Sequence, residues 1–253
     1  MIMPLAVVAP KHFSESPDFE YACPTCSVGF LVPDKSTFQK IEPPYSELAR
    51  QADEWDPDWI TYRFTLKCVC NKKECGEVAF VSGSGSVDQR YGYDGQPEWY
   101  ERFSIHSFCP APILCYIPSD TPSDVESLLK KSFDLYWTDV SAASNALRAS
   151  LEALLDELKV PDQEVTKAGK TVRMTLHRRL EVWSATHKDF AELCLALKEV
   201  GNLGSHGDTV KPKHYFGSLE IYSHVLKELY ENDAKKMKVL AQSIRDEIKA
   251  KKP

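Results

Sequence analysis

Apolar and polar residues alternate in the manner of strands over the first half of the chain, then adopt a helical period after Pro118. Residues 19–33, FEYACPTCSVGFLVP, predict a short strand, a tight Cys-Pro-Thr-Cys turn and a returning strand. Residues 60–70, ITYRFTLKCVC, place Phe64, Leu66 and Cys68 on one face, and CNKKECGEVAFVSG predicts a second turn and return. The Ser-Gly run at 82–86 reads as a breaker and residues 87–100 as a loop. Residues 100–117 read as extended chain, because Pro110 and Pro112 exclude a helix interior. Between the two turns, residues 34–60 are rich in acid, proline and tryptophan. They predict a surface insertion with one helical turn around Tyr45–Gln51.

Beyond Pro118 the chain supplies helix starts. Ser123 is a candidate cap, with Asp124 and Glu126 suited to the first turn. Leu147, Leu151, Leu154, Leu155 and Leu158 form one apolar stripe, and Pro161 ends that helix. Further helices are expected from about Val172 to His187 and from about Asp189 to Val200, the latter stopped by Gly201. A last helix is expected from Pro212, turning Leu219, Tyr222, Leu226, Leu229 and Tyr230 inward. The fold class is therefore α+β. A small zinc-ribbon-like β module over 1–118, with its insertion, precedes an all-α bundle of four or five helices over 119–253.

Charge separates the halves further. Residues 1–118 carry 10 basic and 16 acidic residues, and residues 119–253 carry 21 of each, so the net charge of −6 belongs to the β half. Such a balance argues against nonspecific coating of nucleic acid, whose affinity depends on phosphate neutralisation. A local basic surface is still available in Lys167, Lys170, Arg173, Arg178, Arg179 and Lys188, which reads either as a solvated helix face or as an RNA-binding strip. No apolar run reaches the ~20 residues of a membrane span, and the N-terminal MIMPLAVVAP lacks the basic start of a signal peptide. The expected location is the cytoplasm.

In that compartment thiols stay reduced, so eight cysteines, seven of them before residue 116, point to metal rather than disulfides. Cys23-x-x-Cys26 and Cys70-x4-Cys75 are two knuckles, each able to present two thiolates from one turn, and together they supply the four ligands of a closed, structural zinc site. Cys68 competes with Cys70 for a place in that set, and the shorter gap to Cys75 favours Cys70.

The helical half holds a polar constellation. Asn145, Arg148, Glu152 and Asp156 share one stripe beside the leucines. ALKEVGNLGSHG, at 196–207, ends a helix in Gly201-Asn202 and brings His206 one turn later. By itself Gly-Asn-x-x-x-His reads as a helix C-cap, and Arg148 as a snorkelling flank residue.

Taken together, Cys23–Cys26, CNKKECGE at 70–77, Ile117-Pro118, Arg148 with Glu152, and Gly201, Asn202 with His206 resemble the pattern of a bacterial family of unknown function, DUF4145, over roughly residues 20–230. Its helical domain is similar to the HEPN superfamily, whose active members are metal-independent ribonucleases that commonly dimerise and recur in phage-defence and toxin–antitoxin systems. The resemblance implies an RNA-cleaving site in which His206 transfers protons and Arg148, helped by Lys198, stabilises phosphorane charge. Asn202 would orient the imidazole or ribose, and Glu152 would hold Arg148. Lys198, eight residues before His206, stands near the place of the superfamily's arginine and lacks its bidentate fork. The implied partners are RNA, a second copy of the chain and an activating protein. A non-catalytic zinc-containing adaptor is the competing expectation, with the tryptophan-bearing insertion and Trp99 and Tyr100 as its binding surface.

Overall fold

The strand expected at 61–70 is the axis of the β half. In the computed structural model, which describes residues 10–92, 95–205, 210–231, 237 and 241–245, it forms β5 (Thr61–Cys70). Its alternate residues Phe64, Leu66, Cys68 and Cys70 are buried. A curled, wholly antiparallel sheet is built around it. β1 (His12–Ser14) pairs with β7 (Pro97–Cys109), β7 with β6 (Val78–Tyr91), and β6 with β5. On its other edge β5 pairs with β3 (Phe30–Pro33) and β4 (Gln39–Ile41), and β3 with β2 (Tyr21–Ala22).

The Ser-Gly run expected to break the chain lies inside β6, and the strand continues through part of the expected loop to Tyr91. The packing explains the difference. Gly83 and Gly85 face inward, where a Cβ on Gly83 would stand 1.9 Å from the Ser104 carbonyl oxygen and 2.7 Å from the Phe64 ring, and one on Gly85 would stand 2.6 Å from the ring of Phe103. The missing side chains make room for the aromatic cluster of Phe13, Phe38, Phe64 and Phe103, whose centroids lie 5.1–5.8 Å apart. Ser82, Ser84 and Ser86 therefore point to the opposite, outer face.

The insertion contains α1 (Pro44–Ala49), held by the Ser46 hydroxyl, which accepts from the Thr61 amide at 3.0 Å and donates to Glu42 at 2.8 Å. The helical half comprises α2 (Ser123–Tyr136), α3 (Val140–Glu157), α4 (Leu176–Ser184), α5 (Lys188–Ser205) and α6 (Pro212–Tyr230). Ser123 does not cap α2. It is the first helical residue, and Pro122 precedes it without a side-chain cap bond. Asp139 caps α3 by accepting from the amides of Ser141 and Ala142 at 2.7 and 3.1 Å. The leucine stripe packs as expected, with Leu147, Leu151, Leu154 and Leu155 buried, and Leu219, Tyr222 and Leu226 of α6 buried as well.

Two boundaries differ from the sequence reading. The helix expected from Val172 starts at Leu176, capped by Thr175, because residues 163–173 form a hairpin of β8 (Gln163–Val165) and β9 (Thr171–Arg173) closed at Gly169, whose φ is +76°. Gly201 does not stop α5, which runs on to Ser205.

The halves share one hydrophobic core. Trp137, after α2, lies 5.2 Å from Tyr21 and 5.1 Å from Phe108 between ring centroids, and its carbonyl accepts from Lys11 at 3.1 Å. The Ile113 amide donates to the Ala22 carbonyl at 3.1 Å, tying the linker to the strand before the first cysteine knuckle.

Candidate metal centre and polar helical site

β2 and β3 form the hairpin that carries Cys23 and Cys26, and the β5–β6 turn carries Cys70 and Cys75. The pairing of β3 with β5, in which Leu31 stands opposite Cys70, brings the two turns to the same end of the sheet. The four sulfurs all lie within 4.8 Å of one another, with Cys23 Sγ 3.7 Å from Cys75 Sγ and Cys26 Sγ 3.8 Å from Cys70 Sγ. For zinc–sulfur bonds of about 2.3 Å a regular tetrahedron has sulfur–sulfur edges of about 3.8 Å, so the thiol set fits the ion. Cys68 is excluded from it. Buried between Pro33 and Ala79 on the neighbouring strands, its thiol is pushed up to about 12 by desolvation.

Local backbone favours the thiolate at Cys26. The Gly29 amide donates to Cys26 Sγ at 3.3 Å and, with the Val28 amide, holds the Cys26 thiol down to about 6. Cys23, sealed from solvent, is pushed the other way to about 12 by burial. Gly29 is required by space as well. A Cβ there would stand 2.7 Å from Cys70 Sγ and 2.9 Å from Lys72 Cβ. The Asn71 side chain, accepting from the Phe30 amide at 2.9 Å, latches one turn to the other. These residues would hold the metal; with four thiolates there is no open position for a reacting water.

In the helical half the structure brings three of the expected residues together. Arg148 Nη1 donates to Asn202 Oδ1 at 3.1 Å, across from α3 to α5, and Arg148 Nη2 lies 3.4 Å from Glu152 Oε1 one turn on. The third donor, Nε, is buried and has no hydrogen-bond partner among the described residues. Gly201 permits this crossing, since a Cβ there would meet Arg148 Cβ and Cδ at 3.0 Å. Its role is thus to seat Arg148, which the reading of Gly201 as a helix stop missed. Lys198 stands four residues before Asn202 on α5, on the same face of that helix. His206 lies outside the described residues.

The basic strip divides. Lys167, Lys170 and Arg173 are exposed on the β8–β9 hairpin. Arg178 is exposed but matched by Glu164 at 3.1 Å and Glu181 at 3.0 Å, which hold its pKa up. Arg179 does not belong to the surface at all. It is 4% exposed, and its guanidinium bonds Asp156 at 2.6 Å and the Val160 carbonyl at 3.0 Å. The stripe position of Asp156 therefore serves packing of α4 on α3. Arg179→Ala should lower stability by about 1–3 kcal/mol through the unpaired carbonyls it leaves, against under about 0.5 kcal/mol for Lys170→Ala, in equilibrium urea unfolding.

The distribution of these residues coincides with the comparisons to known families. Residues 130–249 match the domain of unknown function DUF4145. The helical half thus bears the resemblance read from Arg148, Glu152, Gly201, Asn202 and His206. Residues 11–111 match a different domain of unknown function, DUF8608. Both cysteine knuckles fall in that second match, so the expectation that one family spans residues 20–230 is corrected: the cysteine-bearing half matches a family of its own, joined here to the DUF4145-matching helices. No curated protein and no solved structure matches the chain. No helix among the described residues is long and apolar enough to cross a membrane.

Proposed function

We propose that the protein is a metal-independent endoribonuclease of HEPN type whose cysteine-knuckle half binds structural zinc and senses an activating partner, in the manner of a phage-defence or toxin effector. The observation that carries this reading is the Arg148 cluster. A half-exposed guanidinium is held in place from two sides by Asn202 and Glu152, while its Nε donor stays unsatisfied among the described residues. An exposed pair of this kind adds little stability, about 0–1 kcal/mol, so its worth lies in fixing the direction of the cation. Four residues after Asn202 the sequence supplies His206, whose imidazole suits proton transfer near neutral pH.

In the reaction proposed, His206 takes the proton of a ribose 2′-hydroxyl, and that oxygen attacks the adjacent phosphorus. The bond to the 5′-oxygen breaks, leaving a 2′,3′-cyclic phosphate and a 5′-hydroxyl. Arg148, with Lys198 nearby on α5, stabilises the charge that builds on the phosphorane. Asn202 keeps Arg148 aimed. A homodimer would bring a second His206 to protonate the leaving oxygen. Lys170, Arg173 and Lys167 on the β8–β9 hairpin, with Arg178 beside them, would contact the RNA backbone.

The test is cleavage of total RNA by the full chain under mild chelation, enough to remove free divalent ions but not thiolate-bound zinc, with and without lysate from phage-infected cells as activator. Wild type should cut, and His206→Ala and Arg148→Ala should not. A folded His206→Ala protein that cuts at the wild-type rate overturns the assignment. The adaptor reading rests on another observation, the exposure of Ile41, Tyr45, Leu48 and Trp59 on and beside α1 in the acidic insertion. Absence of cleavage under every activating condition favours it.

A further inference from the structure

The Ser-Gly run of β6 puts its hydroxyls on the outer face of the sheet, and the cross-strand register sets basic groups beside them. His12, Ser104, Ser84 and Arg63 stand directly opposite one another across β1, β7, β6 and β5. At the strand spacing of ~4.8 Å this row is about 14 Å long. One register step along, Ser14, Arg102, Ser86 and Thr61 form a second row. On the other side of the first row, at the bulge between Ser82 and Gly83, His106 Nε2 lies 2.7 Å from the Ser84 hydroxyl. His12 Nδ1 lies 2.8 Å from the Ser104 hydroxyl. Two Ser–His pairs therefore sit side by side, flanked by two arginines.

The charge of this face is unlike that of the half to which it belongs. Residues 42–58 hold six acids and one arginine, so much of the deficit lies in the insertion. Among the described residues no carboxylate pairs with His12, Arg63 or His106. Arg63 donates to the Tyr62 carbonyl at 3.0 Å and the Tyr45 hydroxyl at 3.3 Å, and Arg102 reaches Asp88 only at 3.9 Å. Partial burial lowers the pKa of His12, and the neighbouring Arg102, Lys11 and His106 lower it further. Hydroxyls that both donate and accept, interleaved with guanidinium and imidazole groups, match phosphate and ribose chemistry.

We propose that this outer face, centred on His12, Arg63, Arg102 and His106, binds the phosphate backbone of single-stranded RNA. The choice of RNA among polyanions rests on the ribonuclease reading; the cationic face stands without it. The site lies on the DUF8608-matching half, apart from the Arg148 cluster, and gives that half a substrate-gripping role in addition to metal binding. Its polar, exposed side chains carry no core packing, so they can be changed without unfolding the sheet.

The experiment measures fluorescence anisotropy of a fluorescein-labelled single-stranded RNA 20-mer with full-length His206→Ala protein, so that binding is read in the absence of cleavage. Adding Arg63→Gln, Arg102→Gln, His12→Gln and His106→Gln should weaken binding at least about tenfold. It should also flatten the salt dependence, by about 0.7 in log–log slope for each phosphate no longer neutralised. A Lys167→Gln, Lys170→Gln, Arg173→Gln background keeps the hairpin's contribution separate. An unchanged dissociation constant and slope in the face variant overturns the proposal, as does equal affinity for a neutral oligosaccharide or an absence of RNA binding. If the face binds RNA while the wild-type chain never cleaves it, the ribonuclease reading fails and this inference stands.

Discussion

Cys70→Ser should purify without zinc, where elemental analysis of the wild-type chain should find one equivalent. The expectation follows from the sulfur geometry: a hydroxyl is a poor zinc ligand, and Cys70 lies 3.8 Å from Cys26 across the two turns. Structural zinc contributes an apparent ~10–16 kcal/mol in small modules that fold only around it. Here the sheet has its own aromatic core, so the loss should be smaller. Even ~4 kcal/mol lowers the melting temperature of a chain of this size by about 10 °C, which calorimetry reads directly. Cys68→Ala is the informative contrast. It opens a cavity in the core yet should retain a full equivalent of metal, because Cys68 is not among the four clustered thiols. Full zinc content in purified Cys70→Ser protein would sink the assignment.

Arg148→Ala should reduce RNA cleavage by about 10²–10³, the usual consequence of removing one donor from developing anionic charge. Arg148→Lys keeps the charge and loses the fork that spans Asn202 and Glu152, and it should recover only part of that activity. Gly201→Val extends the argument to a residue with no side chain to offer a substrate. Its new Cβ would stand 3.0 Å from Arg148 Cβ and Cδ, so the guanidinium must move while α5 remains helical. Activity should then fall with little change in circular dichroism. A structural role for Gly201 alone would instead lower stability and leave the rate per folded molecule intact. Cleavage by folded Arg148→Ala within about twofold of wild type would remove the arginine from the mechanism.

Much of this was legible from side-chain pattern, and the failures have specific causes. Local spacing found both knuckles and the leucine stripe of α3, since alternation and helical period depend on near neighbours. The choice of Cys70 over Cys68 also rested on a local property, the tightness of the turn to Cys75. What spacing could not show was why residues 23 and 70 meet, because the pairing of β3 with β5 is a long-range event. Gly83, Gly85 and Gly201 misled for a common reason. Each was read as a local break, whereas each is an accommodation to a distant part of the chain: the Ser104 carbonyl and Phe64 ring for Gly83, Phe103 for Gly85 and Arg148 for Gly201. Arg179 erred in the opposite sense, as a basic residue in a basic run that turns inward to Asp156. The helical resemblance singled out Arg148, Glu152 and Asn202 but gave Asn202 to the imidazole or ribose, whereas its side chain accepts from Arg148. The family boundary fell after the knuckles rather than before them.

The β3–β5 pairing has a consequence for the chain between the knuckles. Because backbone ladder bonds, and not the length of the connection, set the register of the two turns, the part of the intervening segment that lies outside β3, β4 and α1 is free to vary. Each doubling of a flexible connection costs only about 0.6 kcal/mol in closure entropy. The exposed stretch from Gln51 to Glu54 is therefore a grafting point, where a fluorophore tag or a small reporter domain can be installed without disturbing the thiol tetrahedron.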